Sequence, residues 1–264
     1  MRIVTMVMLV GIIVLFYRQF SQSTHQVSPV SDSERKKNSE NIPSVKLSPR
    51  DATNIAYEYQ GINFDASLIE IKNPQHISIY VNKEKRTTNE FKKLHGCKAI
   101  TSAGFYSTDD TPLGLFVSQG TMLHRYRPNL LLNGVFSIKD QIPTITKEPI
   151  AGATTALQSG PQLYNNGEPL PLAILNDEPA RRIVILITAD RRILLGAFYQ
   201  SDDLYSGPLL GDLPHHIEVI SSQTDRTITE ALNLDGGTAS AFDNGTVSLQ
   251  ELTTVGSFFC VVKG

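Results

Sequence analysis

The sequence predicts an α+β protein, a single globular domain of mixed, largely antiparallel twisted sheets with a few flanking helices. Three observations carry that prediction. Short apolar runs alternate with polar residues at the two-residue period of strands, glycine-containing turns recur between them, and only two stretches keep helical spacing. At 264 residues and 41% hydrophobic content the chain can bury a sizeable core. Its net charge of −2 gives no general attraction to nucleic acid, which is excluded as an expected partner.

In chain order, the first feature is an apolar run from Ile3 to Tyr17 between Arg2 and Arg18. It is long for a signal-peptide core and short for a full span of about 20 residues. Residues 1–18 are therefore expected to be a signal peptide or signal anchor, and the missing Ala-x-Ala favours an uncleaved membrane anchor with the body extracytoplasmic, in the periplasm or cell envelope. Residues 19–50 are rich in serine and charge, include Pro29, Pro43 and Pro49, and read as a disordered linker. The folded body is expected at 51–264.

Within the body, Ile55, Tyr57 and Tyr59 alternate as a strand, Ser67 to Lys72 form a second and His76 to Val81 a third. Thr87 to Leu94 predict a short helix with Thr88 as N-cap. Cys97 to Thr101 predict a strand that runs into the Ser102–Tyr106 turn and the polar Asp109–Leu115 loop. Gln119-Gly120, Asn133-Gly134, Asn166-Gly167 and Asn244-Gly245 predict hairpin turns. Ala156 to Ser159 form a strand that stops at Gly160-Pro161. Arg181 to Ile187 should pair with Arg192 to Phe198 through a turn at Ala189 to Arg191. Leu209 to Ile220 predict a helix with Asp212 as N-cap and Pro214 in its first turn.

Ala231 to Leu234 form a strand broken abruptly by Asp235-Gly236-Gly237, which leaves a carboxylate at a strand end beside backbone a ligand can approach. Asn233 lies opposite the inward Leu232 and Leu234. Arg181 and Arg182 are adjacent in a strand and must face opposite ways, so one belongs to a pocket and the other does not. His215-His216 diverge on a helix and do not make a metal pair, and neither HExxH nor CxxC occurs. GxGxxG, GxxxxGK[ST] and GxSxG are also absent. No metal or cofactor is expected. Together the strand-end turns offer carboxylates, amides, an arginine, backbone N–H groups and aromatics, a mixture suited to a phosphorylated carbohydrate.

The Ala103-Gly-Phe-Tyr106, Pro112-Leu-Gly-Leu115, Leu157-Gln-Ser-Gly-Pro161, Ala180-Arg-Arg182 and Asn233-Leu-Asp-Gly-Gly237 blocks, in this order along the chain from Cys97 onward, resemble the phosphodiester glycosidase family. The resemblance implies hydrolysis of a sugar-1-phosphodiester at its glycosidic bond. It implies a catalytic role for Asp235, and the strand-end turns around it add Arg182, Arg181 and Asp110 as catalytic candidates. It implies substrate contacts from Gly104, Phe105, Gln158, Ser159, Gly160, Gly236 and Gly237, and the same strand-end turns add Ser102, Tyr106, Asn233, Thr238 and Ser240 as substrate-binding candidates. Ser102-Ala103-Gly104 stands where the family usually carries an amide before the aromatic, and Thr238-Ala239-Ser240 where it often has Gly-Ser. Binding of a phosphoglycan without turnover is therefore the alternative function. Cys97 and Cys260 are too few for a disulfide scaffold; in an oxidising compartment they either pair or remain small buried hydrophobes.

Overall fold

In the computed structural model, residues 54–109 and 111–262 are described. The expected anchor at 1–18, the linker at 19–50 and Asp110 lie outside the described residues. The body is built of antiparallel sheets and two α-helices, as the α+β reading expects.

Seven strands make the largest sheet, in the order β1 (Asn54–Tyr59), β2 (Ile62–Ile71), β13 (Ile193–Gln200), β12 (Arg182–Thr188), β14 (Ile228–Asn233), β10 (Gln162–Asn165) and β11 (Glu168–Pro169). A five-stranded sheet runs β16 (Ser248–Leu249), β15 (Phe242–Asp243), β4 (Ala99–Ser102), β17 (Ser257–Val261) and β3 (Ile77–Val81). A second runs β6 (Thr121–His124), β5 (Phe116–Ser118), β9 (Thr155–Ser159), β7 (Gly134–Lys139) and β8 (Ile142–Thr146).

Strand β12 shows why its sequence is an unbroken apolar run. Ile183, Ile185 and Ile187 enter the core between the sheets, while Val184 and Leu186 enter a second core beneath the longer helix. Both faces are buried, so every position must be apolar. The first hairpin is tighter than the sequence reading supposed: Gln60-Gly61 takes the positive-φ turn, and β2 begins at Ile62 instead of Ser67. Gln119-Gly120, Asn166-Gly167 and Asn244-Gly245 do separate paired strands. Asn133-Gly134 does not. Gly134 opens β7, where an added Cβ would run into the Leu232 side chain, and the positive-φ turn after β7 falls at Asp140-Gln141.

Helix α1 (Thr88–His95) is capped by Thr87 and not Thr88. The Thr87 hydroxyl accepts from Glu90 N–H, and the Glu90 carboxylate accepts from Thr87 N–H at 2.9 Å, a reciprocal capping box. Thr88 is buried and donates to Glu251 through its N–H at 2.8 Å and its hydroxyl at 2.5 Å. Helix α2 (Leu213–Thr224) starts about one turn later than the pattern suggests. The Asp177 carboxylate accepts from Leu210 N–H at 3.0 Å and Gly211 N–H at 2.7 Å, which holds that segment out of the helix. Asp212 is the N-cap residue but makes no side-chain cap bond. Burial of Leu213, Ile217 and Ile220, each contributing about 1.5–3 kcal/mol, outweighs a cap bond of about 1 kcal/mol. His215 pairs with Glu218, and His216 is buried against Tyr57, Tyr59 and Phe64.

Cys97 and Cys260 form a disulfide with Cα atoms 5.3 Å apart, tying the exit of α1 to β17. Among the described residues no helix is long and apolar enough to cross a membrane.

Candidate active site

Strand β14 runs antiparallel to both β12 and β10, so the end of β14 meets the beginnings of the other two. At that edge the 102–106 turn of the neighbouring sheet closes in. Leu234 N–H donates to Ile183 O at 2.8 Å and Asp235 N–H to Ala103 O at 2.9 Å, while Ser102 Oγ donates to Asp235 O at 2.9 Å. The 102–103 segment thus holds both the N–H and the carbonyl of Asp235, while the larger sheet holds Leu234 just before it.

The cleft formed there has a volume of about 470 Å³. Its polar lining includes Asn129, Arg182, Asn233 and Asp235; its apolar lining is Phe105, Leu113, Leu131, Leu132, Pro161, Leu210 and Leu234. A cleft of similar volume at the β12–β13 turn contains Asp190, Arg192 and Arg226. Its arginines are already paired with Glu70 and Asp190, and no apolar wall lines it.

Asp235 carries the unmatched group. No hydrogen bond or ion pair from the described residues reaches its carboxylate, and burial pushes its pKa up to about 7. Two residues earlier, Asn233 Nδ2 donates to Gly160 O at 2.9 Å, whereas Oδ1 is buried without a partner. That oxygen can only accept, and Asn233 is one of the residues lining the same cleft.

The strand begins at Arg182 and not at Arg181, and the two arginines still point apart. Arg182 reaches the cleft; its Nε donates to Pro208 O at 3.0 Å and its Nη2 to Glu178 O at 2.6 Å and Asp177 Oδ1 at 3.2 Å. Its Nη1 makes no bond with the described residues. Arg181 is fully buried, donating to Ser240 Oγ at 2.7 Å, Ser240 O at 2.5 Å, Gln250 O at 2.7 Å and Leu204 O at 3.1 Å.

Several other residues singled out in the sequence hold the cleft's walls from behind. Gln158 is buried and bonds Leu115 N, Arg127 N, Arg127 O and Leu132 O. Ser159 Oγ donates to Asn233 O at 2.7 Å, and Ser240 Oγ to Gly237 O at 2.5 Å. Gly237 has φ +62° and gives its N–H to Arg181 O at 2.8 Å, so that N–H is not offered to a ligand. Gly236 N–H is unused among the described residues. A Cβ at Gly236 would lie 2.8 Å from Arg181 O, so the turn needs its glycine. Gly104 packs on Leu157, Tyr106 packs on Gly256, and Thr238 is exposed and bonded to Thr253; none of the three lines the cleft.

The cleft therefore brings together Phe105, Gly160, Arg182, Asn233, Asp235, Gly236 and Gly237. Sequence reading missed Asp177, which positions Arg182, and the 129–132 loop. There Asn129 Oδ1 accepts from Leu131 N–H at 2.8 Å and Leu132 N–H at 3.0 Å. Its signal was Pro128-Asn129, a turn pair followed by three leucines in a segment with no strand partner.

A family model described as phosphodiester glycosidase matches residues 95–262. Among solved structures, the chain is similar to the zebrafish N-acetylglucosamine-1-phosphodiester alpha-N-acetylglucosaminidase catalytic domain auto-inhibited by its pro-peptide. Identity is 13% over 80% of this chain and 82% of that one, with a TM-score of 0.62. A hypothetical protein from Synechocystis is similar at 15% identity over 80% of this chain and 61% of that one, TM-score 0.60. A Burkholderia pseudomallei protein described as exported is similar at 10% identity over 77% and 75%, TM-score 0.53. At these identities the likeness is one of fold. No curated protein sequence matches the chain.

Proposed function

The chain belongs to the phosphodiester glycosidase family, and on that premise we propose that it hydrolyses a sugar-1-phosphodiester at the glycosidic bond. The observation that carries the proposal is the unpaired Asp235 carboxylate in a cleft that also holds one arginine and an acceptor-only amide oxygen.

Each group then has a task. Arg182, through Nη1, neutralises the single charge of the phosphodiester, assisted by the free Gly236 N–H. Asn233 Oδ1 accepts from a sugar hydroxyl or amide N–H, and Phe105 offers a ring for the sugar face. Asp235, ionised, takes a proton from water as that water attacks C1 and offsets the positive charge of the oxocarbenium-like transition state. The C1–O bond breaks with its electron pair on the phosphate oxygen. The water oxygen becomes the sugar's new hydroxyl, and the proton held by Asp235 passes to solvent or to the phosphomonoester. Because phosphate leaves readily, charge neutralisation matters more than a strong general acid.

The disulfide, and the export description of the Burkholderia neighbour, support an extracytoplasmic setting, with residues 1–18 as its export or anchoring element. The full-length protein incubated with a panel of sugar-1-phosphodiesters should release free reducing sugar and phosphomonoester in equal amounts. A folded protein that turns over none of them overturns the proposal; saturable binding without product would favour phosphoglycan binding instead.

A further inference from the structure

Beside its polar floor, the cleft has a leucine mouth that the hydrolysis of a sugar phosphate does not by itself require. Leu113 and Leu131 line the cleft and are 42% and 66% exposed, and Leu130 next to them is 94% exposed. Across the cleft Leu210 lines the wall contributed by the segment that Asp177 fastens. Isolated exposed leucines need no explanation, but several gathered at one cleft mouth do.

Their exposure is held in place. Gln158 grips the leucine loop through Arg127 N, Arg127 O and Leu132 O, Asn129 caps it internally, and Asn133 Oδ1 accepts from Gln162 N–H at 2.7 Å. Gly160 lies so close beneath that an added Cβ would run into Leu131 O. A loop fixed by this many bonds could turn its leucines inward at no loss of pairing only if its backbone were elsewhere. The fold instead spends a buried glutamine on keeping them out.

Charge narrows the occupant. Arg182, which shares its charge with Asp177, is the sole cation among the residues lining the cleft, and its one unbonded Nη1 suits a single phosphodiester and not a polymer of phosphates. A polar aglycone, such as a second sugar, would leave its hydroxyls facing leucine side chains. We infer that the group esterified to the phosphate is a long-chain alcohol, so that the substrate is a lipid-linked sugar phosphate and the products are free sugar and a lipid phosphate. This rests on the proposed hydrolysis for its reaction, but the apolar subsite can be tested apart from it.

The test uses full-length protein and diesters of one sugar 1-phosphate with methanol, hexanol and decanol, kept below their micelle concentrations. In parallel, calorimetry compares methyl phosphate with decyl phosphate. From methyl to decyl, kcat/KM and affinity should each rise about tenfold or more, as burial of added methylenes demands. The Leu130→Ser/Leu131→Ser double variant, altered at exposed positions, should keep its Tm and flatten both series. Equal behaviour of the methyl and decyl compounds in the unaltered protein overturns the inference, and turnover of the methyl diester in that case leaves the glycosidase reading standing. Chain-length-dependent binding with no turnover of any diester does the reverse. A chain-length series that survives the double substitution refutes the leucine mouth as its source.

Discussion

Arg181 immediately precedes β12 and Arg182 is its first residue, and their side chains part: Arg181 is fully buried on Ser240 O, Gln250 O and Leu204 O, whereas Arg182 opens on the cleft beside Asp235. Their substitutions should therefore separate cleanly. Arg182→Ala removes the cation at the cleft and should lower kcat/KM by about 10²-fold; it also leaves Asp177, Pro208 O and Glu178 O without their donor, so a stability loss of about 1–3 kcal/mol should accompany it. Arg181→Ala leaves three carbonyl groups without their donor and should cost roughly 3–5 kcal/mol in urea unfolding. Steady-state kinetics and denaturation of both variants check this, and equal effects on turnover at equal stability would contradict it.

Asp235 gives a pH prediction whose sign is fixed by the direction of its shift. Burial raises its pKa from 3.8 to about 7 in the folded protein. If the ionised form is the base, kcat/KM should fall tenfold per unit as pH drops below about 7. Stability runs the other way: the contribution of the raised pKa is fully present below about 4 and is lost as pH rises through 7. Asp235→Asn should abolish that slope, leave the protein more stable at pH 8 by roughly 2 kcal/mol, and reduce turnover by at least about 10²-fold. A rate that stays flat down to pH 5, with no stability gain in the variant, would mean the carboxylate is well solvated.

Local grammar made much of this site legible in the sequence. Asp235-Gly236-Gly237 could be placed at a strand end because the leucines at 232 and 234 fix a two-residue period that the glycines break. The opposed directions of Arg181 and Arg182 are expected from the same period, although the strand begins only at Arg182, and which of them faces the cleft depends on the curl of 236–240, a tertiary fact. Gln158 and Ser159 show where sequence fails more deeply. A polar pair at a strand end looks equally suited to a ligand or to a neighbouring loop's backbone, and here the partners come from Arg127, Leu132 and Asn233, distant in sequence. The Thr87 cap was readable from Glu90 three residues on; the delayed start of α2 was not, since it depends on Asp177.

Gly160 offers a test of how the cleft floor is made. An added Cβ there would collide with Leu131 O and come within 2.9 Å of Asn133 N and Leu132 Cα, all backbone that side-chain rotation cannot move. Gly160→Ala should cost about 2 kcal/mol or more and shift the leucine loop, lowering activity even at temperatures where the variant remains folded. An alanine variant with normal stability and normal kinetics would show that the 131–133 backbone moves freely, contrary to the bonds that fix it.

The Cys97–Cys260 bridge joins residues separated by 163 positions and lies among Phe91, Ile100, Val255 and Phe258. Two effects of the Cys97→Ser/Cys260→Ser variant can be weighed. In the chain-entropy model, opening a loop of this length releases about 5 kcal/mol of constraint on the unfolded chain, an upper value because unfolded chains keep some structure. Placing two hydroxyls in that apolar cluster adds a further desolvation cost of roughly 1–3 kcal/mol each. The alanine pair isolates the first effect, so Cys97→Ala/Cys260→Ala should lose about 2–5 kcal/mol and the serine pair more. Reduction of the unaltered protein should lower its Tm as the alanine pair does. Because the cleft is built from 102–106, 160–161 and 233–237, and the bridge lies behind β4, kcat measured well below the lowered Tm should stay within about twofold of the disulfide form. A large loss of kcat in a still-folded alanine variant would show that the bridge positions the 102–106 turn, and through it the main chain of Asp235.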